Sequence, residues 1–182
     1  MKPVELQGPR VRLRQWEERD REPFAELNAD AVAMEFFPSV FTRAESDAMI
    51  DRMRAAIDER GWGLWCLEIE GRCAGFTGLN VPTFDAAFLP AVEIGWRMLP
   101  VRWGRGYATE AARLALRYGF EVLEADEIVS FTAVTNARSR AVMERLGMRH
   151  DAADDFDHPR VPVGSPLRRH VLYRLSRPSS AA

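Results

Sequence analysis

The chain has 182 residues, 47% of them hydrophobic and 29% charged, and its 25 Lys and Arg oppose 27 Asp and Glu for a formal net charge of −2. That length fits one domain, which would bury roughly 70% of its unfolded surface without help from disulfides or a structural metal. The balanced charge excludes a nucleic-acid binder that works by broad phosphate neutralisation, but it leaves room for one local anion site.

Met1 to Leu6 shows no basic stretch followed by an apolar run, and no window approaches the roughly 18 apolar residues of a membrane span. The expectation is a cytoplasmic protein with neither membrane nor nucleic acid as partner. Arg10–Gln15 alternates, with Val11 and Leu13 on one face, and reads as a first strand. A helix is expected from about Asp20 to Asn28. Thr42 and Glu45 form a capping box for a second helix, whose apolar face (Ile50, Met53, Ile57) ends at Gly61. A hairpin follows, 63–69 and 72–79, around a Glu70-Gly71 turn. In that register Cys66 faces Gly75 and Cys73 faces Glu68, which argues against a disulfide or zinc and for buried free thiols. Residues 82–90 form a loop carrying Phe84 and Phe88, which look exposed, and Ala91–Met98 is a further strand.

Next comes RWGRGYATEA, residues 102–111, opening a helix with apolar positions Ala111, Leu114, Tyr118 and Val122 at helical spacing. Glu127–Ala133 is a strand, Asn136 is a good N-cap for a helix ending at Leu146, and Gly147 terminates it. The long segment 151–169 is acidic first and basic later, and His170–Leu175 closes as a strand. Antiparallel hairpin and strand–helix units together indicate the α/β (α+β) class in one domain.

The chemistry concentrates at Gly104-Arg105-Gly106-Tyr107-Ala108. Two glycines permit positive φ and close approach to a ligand, and the helix behind them offers unpaired N–H groups. Arg102 and Arg105 can add charge. Such a turn suits a phosphate or pyrophosphate. It is neither a Walker loop nor G-x-G-x-x-G, since position 109 is Thr, and by itself a tight turn with solvated arginines explains it as well.

This wording, after a strand ending in LP and before an N-x-x-S helix ending in LGM, resembles the GNAT superfamily of acyl-CoA-dependent N-acetyltransferases, and most closely its RimJ/RimL-type branch. The resemblance implies a single-domain GNAT-like fold over residues 1–175, a mixed, mostly antiparallel sheet flanked by helices, with 176–182 a flexible tail. It implies acetyl-CoA as cosubstrate and no metal. The diphosphate of coenzyme A would lie on the backbone of Gly104 to Ala108, with Trp103 and Thr109 flanking it. Trp103 replaces the family's usual Gln or Arg. The pantetheine arm would pair with backbone near Met98 and Leu99, and Asn136 would hold its amide.

A neutral amine must attack the thioester, and an alkyl ammonium near pKa 10.4 must first lose a proton. Glu93, mid-strand, is the leading base; an outward-facing strand carboxylate is the other reading. Many relatives carry a Tyr seven residues after the Asn, but that position is Met143. Ser139 is then the candidate donor to the leaving sulfur, against a plain helix serine bonding to backbone. Asp155 and His158, in a segment whose acidity would attract a cationic amine, are second choices at the amine pocket. Phe36 and Phe37 lie where relatives place acceptor contacts. The function implied is acetyl transfer to a primary amine, of a protein N-terminus or of a small molecule. An acyl-CoA-binding module without turnover is the alternative, and a homodimer is left open.

Overall fold

Val11 and Leu13 are both buried in the computed structural model, which describes residues 2–178. Strand β2 covers only Arg12–Arg14, because Arg10 leaves the ladder and gives its N–H to Glu110 Oε1 at 2.8 Å. β1 (Leu6–Gln7) folds back antiparallel on β2. Alternation fails at Arg14, which is 1% exposed. Its guanidinium reaches both oxygens of Asp20 at 2.6 and 2.9 Å and Glu68 at 2.7 Å, so a buried cation carries its own neutralising partners.

Helix α1 (Arg21–Ala29) and helix α2 (Arg43–Arg60) follow. The Thr42–Glu45 capping box forms as expected, and Gly61 ends α2 in the left-handed conformation (φ 84°). β3 (Leu64–Ile69) and β4 (Arg72–Asn80) pair around a turn in which Glu70 and Gly71 both have positive φ. A bulge admits Ala74 as an extra residue, so Cys66 faces Phe76 rather than Gly75. Cys73 faces Glu68 as expected, and both thiols are free and buried.

β5 (Val92–Met98) pairs antiparallel with β4. Helix α3 (Tyr107–Glu121) crosses over to β6 (Glu127–Ala133), which runs parallel to β5. Val122 caps α3 and is 59% exposed, outside the buried face assigned to it from spacing. Helix α4 (Ala137–Arg145) leads to β7 (Arg149–His150) and β8 (Phe156–Asp157). Both short strands pair with β9 (Arg169–Ser176), and β8 falls inside the long segment 151–169, in which no strand was expected. β9 continues one residue past Leu175, and residues 179–182 of the expected tail lie outside the described residues.

The sheet order is β1-β2-β3-β4-β5-β6-β9-β7, with every pairing antiparallel except β5–β6. Phe76 and Arg97 are register partners that meet α1 through Phe24 and Asn28. On the opposite face, Leu79 and Ile128 crowd Gly119 of α3, so a Cβ there would lie 2.6 Å from Ile128. The helices therefore cover both faces, as the sequence implied.

Candidate functional site

One irregularity positions everything that follows. β6 pairs with β9 at seven positions, from Glu127↔Ser176 to Ala133↔His170, but with β5 only at Val92↔Ile128 and Glu93↔Val129. Beyond Glu93 the two central strands separate. The carbonyls of Ile94 and Met98 face that gap, where they accept from Ser130 Oγ (2.9 Å) and Trp103 Nε1 (2.7 Å). Strand alternation puts the backbone polar groups of Trp96 on the same side. Leu99 differs from expectation: its N–H is turned the other way and bonds Ala74 O at 2.9 Å. The free edge of β5 is thus centred on Trp96 and Met98.

At the end of this edge lies the glycine turn. Gly104 (φ 73°) and Gly106 (φ 80°) both occupy the left-handed region, which a side chain would strain. Gly106 is the N-cap of α3 and offers no side-chain cap, so the N–H groups of Tyr107, Ala108 and Thr109 have no intrahelical acceptor. The Tyr107 and Thr109 side chains are buried, which leaves backbone as the surface presented. The result is a concave row of N–H groups at the positive end of a helix.

The charge around it differs from the sequence reading. Arg102 is paired with Glu70 at 2.8 Å, while Arg105 is exposed. The unforeseen cation is Arg10. It donates to Glu110 (2.7 Å) and to Arg105 O (3.0 Å), and it lies over the Tyr107 ring at 4.9 Å. It thereby neutralises the carboxylate nearest the turn. Trp103 does not act as the missing Gln or Arg; its ring is half-buried and carries the Arg138 guanidinium at 4.6 Å.

Glu93 sits where the strands part, half-buried, with Asn80 Nδ2 at 3.4 Å from Oε2. Burial pushes its carboxyl up to about 7, against the smaller opposing effect of Asn80. A group with that pKa can hold or release a proton near neutrality. Across the gap, Asn136 caps α4 by accepting from Ser139 N–H (3.1 Å) and donates to Thr132 Oγ1 (2.9 Å). Its amide has one N–H and one lone pair left for a ligand. Ser139 is half-buried, and among the described residues its hydroxyl has no partner, so it is not the backbone-bonding helix serine. Met143 is 1% exposed and fills the core under α4.

On the face that carries Glu93, Phe131 of β6 packs against Phe84, Phe88 and Phe156 with ring centroids 5.6–5.8 Å away. Phe84 and Phe88 are therefore half-buried wall residues rather than exposed loop aromatics. His158 belongs to this wall, 4.6 Å from Phe84 and 4.9 Å from His170. Burial first, then His170, Arg160 and Arg168, pull its pKa down to about 4, so it is neutral at pH 7.

Three carboxylates of the acidic segment are paired with bases rather than free to meet a cationic amine. Asp155 is held by His150 Nε2 at 2.7 Å, Asp154 by Arg174 at 2.7 Å and Asp157 by Arg168 and Arg169 at 3.5 Å. In the α1–α2 loop, the Phe37 ring lies 4.0 Å from the Arg97 guanidinium and the Phe36 ring 5.5 Å from that of Arg138.

A family model described as an acetyltransferase (GNAT) domain matches residues 10–149. The chain is 34% identical over 130 residues to FsC-acetyl coenzyme A-N(2)-transacetylase of Aspergillus fumigatus, a span of 69% of this chain and 55% of that protein. An acetyltransferase (GNAT family) from Bacillus anthracis superposes with a TM-score of 0.78 at 24% identity, over 96% of this chain and 99% of that one. Mycobacterium smegmatis RimJ, solved in complex with CoA-disulfide, gives 0.74 at 21% identity, over 96% and 88%. These two structures establish the fold. Among the described residues no helix is long and apolar enough to cross a membrane.

Proposed function

The chain belongs to the acetyltransferase (GNAT) family, and on that premise we propose that it transfers an acetyl group from acetyl-CoA to a primary amine by direct attack on the thioester. The observation that carries this reading is the stretch of β5 left unpaired by β6 beyond Glu93, with an uncapped helix N-terminus at one end and a carboxyl poised near neutrality at the other. The row of N–H groups behind Gly104 and Gly106 fits a diphosphate, since no Cβ projects at either glycine and the helix dipole favours an anion. The wording W-G-R-G-Y-A-T-E-A supports a RimJ/RimL-like branch.

Bound acetyl-CoA supplies an activated acyl thioester. Backbone of Trp96 and Met98 on one side, and Asn136 on the other, would hold its arm in the gap between β5 and β6. Glu93 accepts the proton that the attacking amine must lose, directly or through a water, as its C–N bond forms and the C–S bond breaks. The Ser139 hydroxyl donates to the departing sulfur. Phe131 and its aromatic neighbours exclude water from the face on which the amine arrives.

The test is thiol release from acetyl-CoA with a panel of primary amines, alongside calorimetric titration with CoA. Amine-dependent release and formation of the acetamide are expected. Tight CoA binding with no release for any amine would instead make the chain an acyl-CoA-binding module.

A further inference from the structure

Two arginines of this chain are almost completely buried, and they are treated oppositely. Arg14 is 1% exposed and bonds two carboxylates, Asp20 and Glu68. Arg97 is 7% exposed, and among the described residues no carboxylate lies within ion-pair distance of it. Its Nη1 donates to the neutral amide oxygen of Asn28 at 2.5 Å, and its Nε is buried without an acceptor. Asn28 is fixed in that orientation because its own amide donates to Ser46 Oγ at 2.9 Å. A guanidinium has five donors in a planar fork and stays charged at neutral pH. Burial draws its pKa down to about 10, still a cation at pH 7. A buried cation without an anion is costly, and the fold elsewhere supplies the anion.

The surroundings show where an anion would come from. Glu93, Gly95 and Arg97 alternate onto one face of β5, the face that meets α1 and the α1–α2 loop. Gly95 is half-exposed, and a Cβ built there would meet only Glu93 Oε1, at 3.8 Å. Open space therefore lies over Gly95, next to a carboxyl able to take a proton and two residues before Arg97, whose side chain shares that face of β5. Phe37 lies over the guanidinium at 4.0 Å, with Phe76 at 5.4 Å and Phe41 at 5.7 Å, so rings surround the cation while its Nε donor remains without an acceptor. A single cation beside a neutral amide matches one negative charge, hence a carboxylate rather than a phosphate.

We propose that the acceptor is a small amino acid, whose carboxylate pairs with Arg97 across Gly95 while its amine meets Glu93. This rests on the acetyl-transfer reading above and deepens it by choosing the small zwitterion over a protein N-terminus. The amine nitrogen gains the acetyl carbon as the C–S bond breaks, and the ammonium gives up two protons: one passes to Glu93 and on to solvent, the other ends on the departing thiolate, so that CoA leaves as the thiol.

The experiment compares kcat/KM for free amino acids, for the carboxamide of each, and for a tripeptide amide, at fixed acetyl-CoA. The wild type should favour the free acid by roughly 10–100-fold, as expected for one charge-assisted pair. Arg97→Gln should bring that ratio near one with the KM for acetyl-CoA unchanged, and Arg97→Lys should restore part of it. The wild-type ratio is decisive even if the variants fold poorly. Equal use of acid and carboxamide, or preference for the tripeptide amide, overturns the amino-acid acceptor while leaving acetyl transfer intact. Absence of turnover with every amine overturns both.

Discussion

The two ends of β5 are built in contrasting ways. At its C-terminal end the presumptive cofactor turn is made of consecutive residues, Gly104 to Thr109, and its working surface is backbone. On its acceptor face the groups come from six separate stretches: the α1–α2 loop, Asn80, β5 itself, the 82–90 loop, β6 and the segment around His158. A backbone site needs little from side chains except their absence. A side-chain site exists only after the sheet and its register have formed, and its chemistry depends on burial. The first should fail through local geometry, the second through single functional groups.

Gly106→Val should break the comparison most severely. The left-handed φ of 80° is unfavourable for a β-branched residue by about 1–3 kcal/mol, and the new side chain stands where a ligand would approach the N–H groups. CoA affinity by calorimetry should fall by roughly 100-fold or more, since steric exclusion adds to the strain. Unchanged affinity would mean that the anion site is elsewhere. Glu93→Gln should leave CoA affinity alone and lower kcat by roughly 10²–10⁴-fold, the usual worth of a general base. The asymmetry between these two variants, one binding and one chemical, is the sharpest expression of the contrast.

Ser139→Ala should cost less. One donor to a departing thiolate that water can partly replace is worth about tenfold in kcat, with little change in the KM for acetyl-CoA. A rise in that KM with kcat unchanged would assign Ser139 to binding instead.

The smallest effect concerns stability. His158 stays neutral in the fold down to about pH 4, while the unfolded chain takes up its proton near 6.5. Between these values the unfolded state binds more protons, so stability falls as the pH drops from 6.5 towards 4. His158→Phe should flatten that part of the Tm–pH curve. Glu93 has the opposite sign: its raised carboxyl disfavours the fold once ionised, so Glu93→Gln should gain Tm above pH 7.

The same contrast explains what was legible in the sequence. The capping box at Thr42, the turn at Glu70-Gly71 and the glycine turn before α3 are local rules, and each forms as read. The cofactor turn was visible because its residues are contiguous. The register slip at Cys66 was not, because the bulge at Ala74 carries no distinctive residue of its own. Nothing local marks Arg97, because Asn28, Phe37 and Phe76, which enclose its guanidinium, come from other elements. Arg10 was hidden for a similar reason, since its partner Glu110 lies 100 residues away. The pairing of Asp154 with Arg174 and of Asp155 with His150 was equally hidden, since no local pattern names those partners. Glu93 could be nominated from its place in the strand, but its raised pKa comes from burial by elements distant in sequence, which no local pattern encodes.

The central claim is that β5 joins a backbone anion site to a carboxyl working as a base, and the pH dependence of kcat/KM for the amine tests it most directly. At saturating acetyl-CoA the wild type should show a rise through about pH 7 as Glu93 loses its proton, superimposed on the slower rise from amine deprotonation. In Glu93→Gln only the amine's rise should remain. Identical profiles for the two proteins would contradict the account.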